Sequence, residues 1–344
     1  MGNKLRSLAQ VQKLKLAPRL LFSAEHEEIL QGMTTDIYFV KSQEILQKYA
    51  LQDTVVTGEV FARRGGVFAG LEEVLGLFSD SEVEIWALEE GQVFAAKEVV
   101  MQIRGKYSEL GLYETPLLGI LASSSGWATA AREAKEAAGD KVVLCFGARH
   151  VHPAVAPVME RAAVKGGADG ASCILGAKLA GLEPAGTVPH AIFLIMGDTV
   201  SVAKAYHQIM PAGEARIVLV DTFKDEAEEA LRVAEALGKD LLGVRLDTPS
   251  ERGGVSPELV MEVRGRLNLR GFKHVQIFCS GGLTPERIKL LKSAGADAFG
   301  VGSYIAGATG IDMTMDLKEV AGQPIAKRGR IPGLRNNPRL RKRK

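Results

Sequence analysis

Two apolar runs near the end of this 344-residue chain finish in turns of small residues. One is Val275-Gln276-Ile277-Phe278-Cys279-Ser280-Gly281-Gly282, the other Ala298-Phe299-Gly300-Val301-Gly302-Ser303. Glycine turns let backbone N–H groups approach a ligand closely, and such groups bind anions. In α/β barrels a phosphate commonly sits on the loops after the last two strands. A phosphorylated ligand is therefore expected here. Other apolar runs also end in polar residues: Phe146-Gly147-Ala148-Arg149-His150, Gly166-Gly167-Ala168-Asp169-Gly170, Gly186-Thr187-Val188-Pro189-His190, Asp221-Thr222 and Arg245-Leu246-Asp247-Thr248. Arginines bind carboxylates and phosphates in bidentate fashion. Aspartates at such positions can hold ribose hydroxyls or a Mg²⁺ that carries phosphates. Taken singly, Arg149 and Arg245 also suit structural ion pairs, Asp169 a turn, and His190 a packing role. Together they describe a polar mouth with a glycine cup on one wall.

The elements that must position these residues can be read from periodicity. Residues 27–51 are mostly helical in pattern, with Ile29, Met33, Ile37, Val40, Ile45 and Leu46 on one apolar face. Residues 55–61, 83–88, 93–95 and 99–103 read as strands, and antiparallel strands with one or two helices fit an α/β sandwich. Residues 114–138 read as one or two helices interrupted at Ser123-Ser124-Ser125-Gly126. Short strands then alternate with helices, the strands at 142–146, 192–196, 217–220, 241–246, 275–278 and 298–301. Ser256-Pro257-Glu258 and Thr284-Pro285-Glu286 mark helix starts, each with an N-cap, Pro at N1 and an acid in the first turn. Six strands are too few for a closed eight-stranded barrel. The expected fold is α/β: a sandwich domain over 1–115, joined by the segment 311–344, and an incomplete parallel α/β barrel over 116–310.

Charge is nearly balanced, with Lys+Arg 43 against Asp+Glu 41, but unevenly distributed. All nine ionisable side chains in residues 327–344 are basic, which leaves 34 basic residues against 41 acidic ones in the body. This segment is expected to be a solvated, untethered terminus. Nucleic acid is not the expected partner despite its charge. Cys145, Cys173 and Cys279 are widely spaced and form no C-x-x-C pair, so zinc is not expected and they read as buried small hydrophobes. No apolar run approaches the ~20 residues that span a membrane, and no signal segment is evident. A cytoplasmic location is expected.

With these residues assembled, the chain resembles nicotinate phosphoribosyltransferase in its short bacterial and archaeal form. Carrying the resemblance are Thr34-Thr35-Asp36-Ile37-Tyr38-Phe39, Phe146-Gly147-Ala148-Arg149, residues 166–172, Gly186-Thr187-Val188-Pro189-His190, Val220-Asp221-Thr222-Phe223, Val244-Arg245-Leu246-Asp247 and Ser280-Gly281-Gly282-Leu283, in family order. The resemblance implies the type II phosphoribosyltransferase fold. It implies transfer from 5-phosphoribosyl pyrophosphate to nicotinate, giving nicotinate mononucleotide and pyrophosphate in NAD biosynthesis. ATP hydrolysis is coupled in the family, which gives it a ligase-type classification, and ATP and Mg²⁺ are the implied cofactors. Homodimers or higher homo-oligomers with shared active sites are implied. By matching motif, Tyr38 of a partner subunit and Phe146 would sandwich the pyridine ring. Arg149 would meet phosphate or the pyridine carboxylate, Arg245 would lie beside the base, and Asp169 would sit close to the ring. Asp247 would hold the ribose, with Asp221 in the same cluster. Ser280, Gly281, Gly282, Gly300 and Gly302 would take the 5-phosphate, and His190 would be phosphorylated from ATP.

Elementary chemistry fits those roles. Loss of pyrophosphate from C1 of ribose builds an oxocarbenium-like centre, and positioning with charge stabilisation can suffice without a protein nucleophile. Three rivals stand beside this reading. Quinolinate phosphoribosyltransferase, of the same fold, needs a denser basic pocket for two carboxylates. An aldolase or isomerase barrel needs a Lys or Glu at a strand end, and no strand-end Lys stands out. A nucleic-acid-binding protein would work through residues 327–344.

Overall fold

The computed structural model describes residues 4–16, 19 and 21–344. The chain divides into two compact units, one formed by Met1–Thr129 with Thr309–Lys344, the other by Ala130–Ala308. The division falls inside the helix Glu114–Ala138, later in the chain than the boundary at 115 expected from sequence.

The first unit begins with helices, including Ile37–Lys48, and continues with strands β1 (Val55–Ala62), β2 (Gly66–Val67), β3 (Glu84–Ala87), β4 (Val93–Phe94) and β5 (Val99–Lys106). β1 pairs antiparallel with β5, and β5 with β3, while β2 and β4 form a separate two-stranded ribbon. Seven of the eight β1 residues are buried, as a strand paired on both edges and covered on its faces requires. The core behind this sheet is built from Val60, Phe68, Ile85, Met101, Ile103, Leu117 and Leu121.

The Ser123-Ser124-Ser125-Gly126 stretch does not interrupt its helix, contrary to the sequence reading. Ser124 and Ser125 are buried, and Ser125 Oγ accepts from the Ala69 N–H at 3.2 Å. Thr129 Oγ1 accepts from the Val67 N–H and donates to the Ser125 carbonyl. A Cβ at Gly126 would lie 2.6 Å from the Thr309 carbonyl oxygen. The small residues mark a face where backbone approaches the helix, and their hydroxyls stay paired without leaving helical geometry.

The second unit is a six-stranded sheet: β6 (Val142–Cys145), β7 (Gly170–Ala171), β8 (Ile217–Leu219), β9 (Gly243–Leu246), β10 (Gln276–Ser280) and β11 (Ala298–Val301). The order is β7-β6-β11-β10-β9-β8 and every pairing is parallel. β7 and β8 do not pair with each other, so the barrel is incomplete. Ser256 and Thr284 cap the helices Pro257–Leu269 and Pro285–Ser293 through their side-chain oxygens. The run at 192–196, read as a strand, lies instead in the helix His190–Met196, where Phe193 is buried while Leu194 and Ile195 are exposed. Five apolar residues in a row cannot separate strand from helix by periodicity. The strand taking its place is the two-residue β7, too short to show a period.

The chain then returns to the first unit as β12 (Met313–Val320), β13 (Gln323–Pro324) and β14 (Arg341–Lys342). β12 pairs with the free edge of β1, and β14 with β3. Residues 327–344 are thus not the untethered terminus expected from sequence. Lys327 and Arg330 bind Asp316, Arg335 binds Glu59, Arg339 binds Glu98 and Lys342 binds Glu84. The acidic excess of the body supplies the partners that hold the basic segment.

Partial burial raises the Glu114 carboxyl to about 7, with Lys327 lowering it and Asp316 raising it further. A carboxyl whose folded value is raised gives stability that is complete below its unfolded value and lost as pH rises through the folded one. Thermal stability of the first unit should fall between about pH 4.5 and pH 7 on this account, and Glu114→Gln should flatten that fall. Denaturation scans at pH 5 and pH 8 check this. An equal decline in both proteins would contradict it.

Candidate active site

Parallel strands put their carboxyl ends on one side of a sheet, where side chains from successive loops converge. Here a cavity of about 310 Å³ lies at those ends, lined by Phe146, Arg149, His150, Pro189, His190, Leu219, Arg245, Asp247, Ser280, Gly281, Gly282, Gly300, Gly302 and Ser303.

Arg245, on β9, is the hub. Its Nε donates to Ser280 Oγ at 2.9 Å, its Nη1 to Thr187 Oγ1 at 3.0 Å and its Nη2 to Asp247 Oδ2 at 3.1 Å. Ser280 Oγ donates in turn to Asp247 Oδ1 at 2.9 Å. The guanidinium also lies 5.2 Å from the centre of the Phe146 ring. Burial pulls the Arg245 pKa down, while Asp247 and Asp221 push it up. This cation is held on three sides. Arg149, by contrast, makes no hydrogen bond or ion pair with any described residue.

His190 Nε2 lies 2.9 Å from Asp221 Oδ2, and the Asp221 side chain is only 1% exposed. Burial raises the Asp221 pKa, opposed by the hydrogen bond from His190. Asp221 Oδ1 is buried with no hydrogen-bond partner. An ionised Asp221 fixes the proton on Nε2 and leaves the lone pair on Nδ1.

The glycines have unequal reasons for being there. Gly281 and Gly282 take φ of +90° and +59°, the left-handed region where side chains are strained, which turns the backbone after β10 into a cup. Gly300 is required by packing: a Cβ there would meet the Phe146 ring at 2.4 Å.

Asp169 is not at this mouth. It immediately precedes β7, its Oδ2 accepts from the Val143 N–H at 2.7 Å, and Lys135 Nζ lies 2.8 Å from it. Those contacts tie it to the amino ends of the strands, opposite the cavity, so its expected place beside the ring is wrong. A turn aspartate before a strand and one after it look alike in sequence when the strand has two residues. Tyr38 lies on the exposed side of the helix Ile37–Lys48 in the first unit.

Sequence reading missed Glu160. It is fully buried in the helix Ala156–Gly166 and accepts four hydrogen bonds: from Gly147 N, Ala148 N, Ser172 Oγ and Cys173 N, at 2.6–3.1 Å. It ties together the loops after β6 and β7, the first of which carries Arg149 and His150. The only available signal was a Glu among Met159, Ala162 and Ala163 on a helix's apolar face. Cys145 and Cys279 are buried, and burial pushes the Cys279 thiol up to about 12.

An α/β sheet unit followed by an open parallel sheet, with a glycine cup and an Arg–Asp cluster at the strand ends, is the arrangement of the type II phosphoribosyltransferase fold. The chain belongs to the quinolinate phosphoribosyl transferase family: the N-terminal domain model matches residues 27–125 and the C-terminal domain model residues 127–316. It is 31% identical over 263 residues to nicotinate phosphoribosyltransferase pncB2 of Mycobacterium tuberculosis (strain CDC 1551 / Oshkosh), a match covering 71% of this chain and 55% of that protein. It is 27% identical over 314 residues to nicotinate phosphoribosyltransferase of Bacillus subtilis (strain 168), covering 80% and 63%. The chain thus matches little more than half the length of these relatives. Among solved structures it is similar to nicotinate-nucleotide pyrophosphorylase from Pyrococcus furiosus, at 45% identity and TM-score 0.87, covering 92% of this chain and 82% of that one. Human nicotinic acid phosphoribosyltransferase, at 19% identity and TM-score 0.65, shares the fold. No helix among the described residues is long and apolar enough to cross a membrane.

Proposed function

We propose that this chain transfers the phosphoribosyl group of 5-phosphoribosyl pyrophosphate to nicotinate, giving nicotinate mononucleotide and pyrophosphate in NAD biosynthesis. The observation that carries this reading is the unequal state of the two arginines. Arg245 has its donors engaged by Ser280, Thr187 and Asp247. Arg149 is the one guanidinium of the cavity lining with no described partner. One free guanidinium matches one carboxylate, as nicotinate has. The names of the mycobacterial and Bacillus relatives support the same substrate.

In this reading Gly281, Gly282 and Gly302 cradle the 5-phosphate, Asp247 takes ribose hydroxyls, and Phe146 supports the pyridine ring, with Tyr38 of a partner subunit on its other face. Mg²⁺, entering with the diphosphate, would neutralise the leaving group. The unpartnered Asp221 Oδ1 and the Asp247 carboxylate are hard oxygen donors of the type it takes. Exposed Leu194, Ile195, Ile174 and Leu175 on two short helices support a homo-oligomer.

Removing Arg149 tests the central assignment. Arg149→Ala should raise KM for nicotinate about tenfold or more, the worth of a charge-assisted hydrogen bond. An unchanged KM in steady-state assays would count against it. ATP coupling is a further part of the proposal, resting on His190 Nδ1 as the phosphate acceptor while Asp221 holds Nε2. His190→Ala should keep slow transfer and lose stimulation by ATP. Undiminished ATP hydrolysis in that variant would exclude the role.

A second reading, quinolinate as substrate with loss of CO₂, is favoured by the family models that match the chain. It needs a second cation for a second carboxylate. Among the described residues lining the cavity, apart from the two arginines, only the imidazoles of His150 and His190 could supply one, and His190 is engaged by Asp221.

A further inference from the structure

A cavity of about 370 Å³ opens in the first unit and shares no residue with the strand-end site. Three parts of the chain build it. The Leu5 N–H donates to the Gln31 carbonyl at 3.0 Å, which fixes the preceding Lys4 beside the end of the helix His26–Leu30. The helix Leu71–Leu77 contributes Leu77, and the turn after it contributes Asp80. That turn is closed by Ser81, whose N–H and Oγ both donate to the Phe78 carbonyl, at 3.1 and 2.9 Å. Tyr113, 1% exposed, forms the floor. Its hydroxyl donates to the Leu30 carbonyl at 2.6 Å and its ring meets Phe78 edge-on at 5.4 Å, which fixes the ring's position.

Lys4 and Asp80 line this cavity with opposite charges, yet no ion pair joins them. Lys4 Nζ lies 4.7 Å from the centre of the Tyr113 ring, and no carboxylate among the described residues is within ion-pair distance of it. The exposed Asp80 side chain makes no hydrogen bond or ion pair with any described residue. Glu27, the other carboxylate of the lining, accepts from Gln31 Nε2 at 3.0 Å. The apolar part of the wall is incomplete as well: Leu77 is 8% exposed, but Leu30 is 43% exposed. A cation and an anion on one void, with an aromatic ring and two leucines alongside, complement a small molecule that carries both charges and an apolar group. A ligand with a single charge would leave Lys4 or Asp80 unpaired. The volume lies within the ~300–1,000 Å³ of small-molecule sites.

We propose that this cavity binds a free α-amino acid with an apolar side chain. Its carboxylate would pair with Lys4 Nζ, its ammonium with Asp80, and its side chain would pack on Leu30, Leu77 and the Tyr113 ring. The proposal does not rest on the reaction assigned to the other unit.

Titration of the full chain with L-leucine, followed by calorimetry and through the methyl resonances of Leu30 and Leu77, tests it. Both sets of methyl resonances should shift saturably with one Kd. Leucinamide lacks the carboxylate and N-acetyl-leucine lacks the ammonium, and each should bind about tenfold or more weakly, the worth of a charge-assisted hydrogen bond. Lys4→Met and Asp80→Asn remove side chains that no described ion pair holds, so both should fold as the wild type does, which a thermal scan checks. Each should raise the Kd for leucine by a similar factor. Coupling between variant and ligand reads the orientation: Lys4→Met should bind leucine and leucinamide alike, and Asp80→Asn should bind leucine and N-acetyl-leucine alike. Arg149→Ala, at the strand-end site, should leave the Kd for leucine unchanged. The proposal is overturned if leucine gives no saturable shift at Leu30 and Leu77, if both analogues bind as leucine does, if the two variants keep the wild-type affinity and preference, or if only Arg149→Ala weakens binding.

Discussion

Asp247→Asn should fold and lose roughly 100- to 1,000-fold in kcat for nucleotide formation, the scale on which one preorganised electrostatic group acts. The substitution keeps the shape. The amide oxygen can face Arg245 Nη2, now 3.1 Å from the carboxylate, and the amide nitrogen can face Ser280 Oγ, whose proton can turn to the Leu246 carbonyl 3.3 Å away. What changes is charge. Asp247 offsets Arg245 inside a partly buried cluster, and its carboxylate is the acceptor best placed for ribose hydroxyls in the proposed reaction. The pair is about one-fifth exposed, so the stability cost should stay near 1–3 kcal/mol. A folded Asp247→Asn protein with wild-type turnover would remove Asp247 from the mechanism.

Glu160→Ala should have the largest effect on stability. It strands four buried donors at once: two backbone N–H groups of the loop after β6, and a hydroxyl and an N–H of the loop after β7. Each unsatisfied buried group costs about 1–3 kcal/mol, partly recovered if water enters. A net loss of roughly 4 kcal/mol should lower the melting temperature of the second unit by about 10 °C. Glu160→Gln should fall between. Its oxygen can keep the three contacts on one side, but its amide NH₂ would face the Cys173 N–H, donor against donor. A melting temperature within about 2 °C of wild type in Glu160→Ala would show that the four hydrogen bonds do little.

Much of this site was legible because strand ends in a parallel sheet carry chemistry, and the sheet announced itself through apolar runs with capped helices between them. Arg149, His190, Arg245, Asp247, Ser280 and the glycine cup, which line one cavity, are therefore placed on one side by the sequence pattern. The failures share a cause. β7 has two residues, so Asp169 before it and Ser172 after it could not be assigned to opposite ends of a strand. The run 192–196 is apolar throughout, and only tertiary exposure of Leu194 and Ile195 decides that it is a helix. Glu160 acts through backbone groups, which no pattern of side chains records. Residues 327–344 read as a free terminus because Glu59, Glu84 and Glu98, which hold Arg335, Lys342 and Arg339, lie far earlier in the sequence.

The most direct test of the proposed reaction supplies the substrate and its rival together. Isotopically labelled nicotinate and unlabelled quinolinate, at equal concentration, are incubated with the chain, 5-phosphoribosyl pyrophosphate, Mg²⁺ and ATP, and the nicotinate mononucleotide is resolved by mass. Both acids give the same nucleotide, so the label alone reports its source. The account predicts labelled product without CO₂ release. Unlabelled product with stoichiometric CO₂ would contradict it and assign the chain to quinolinate.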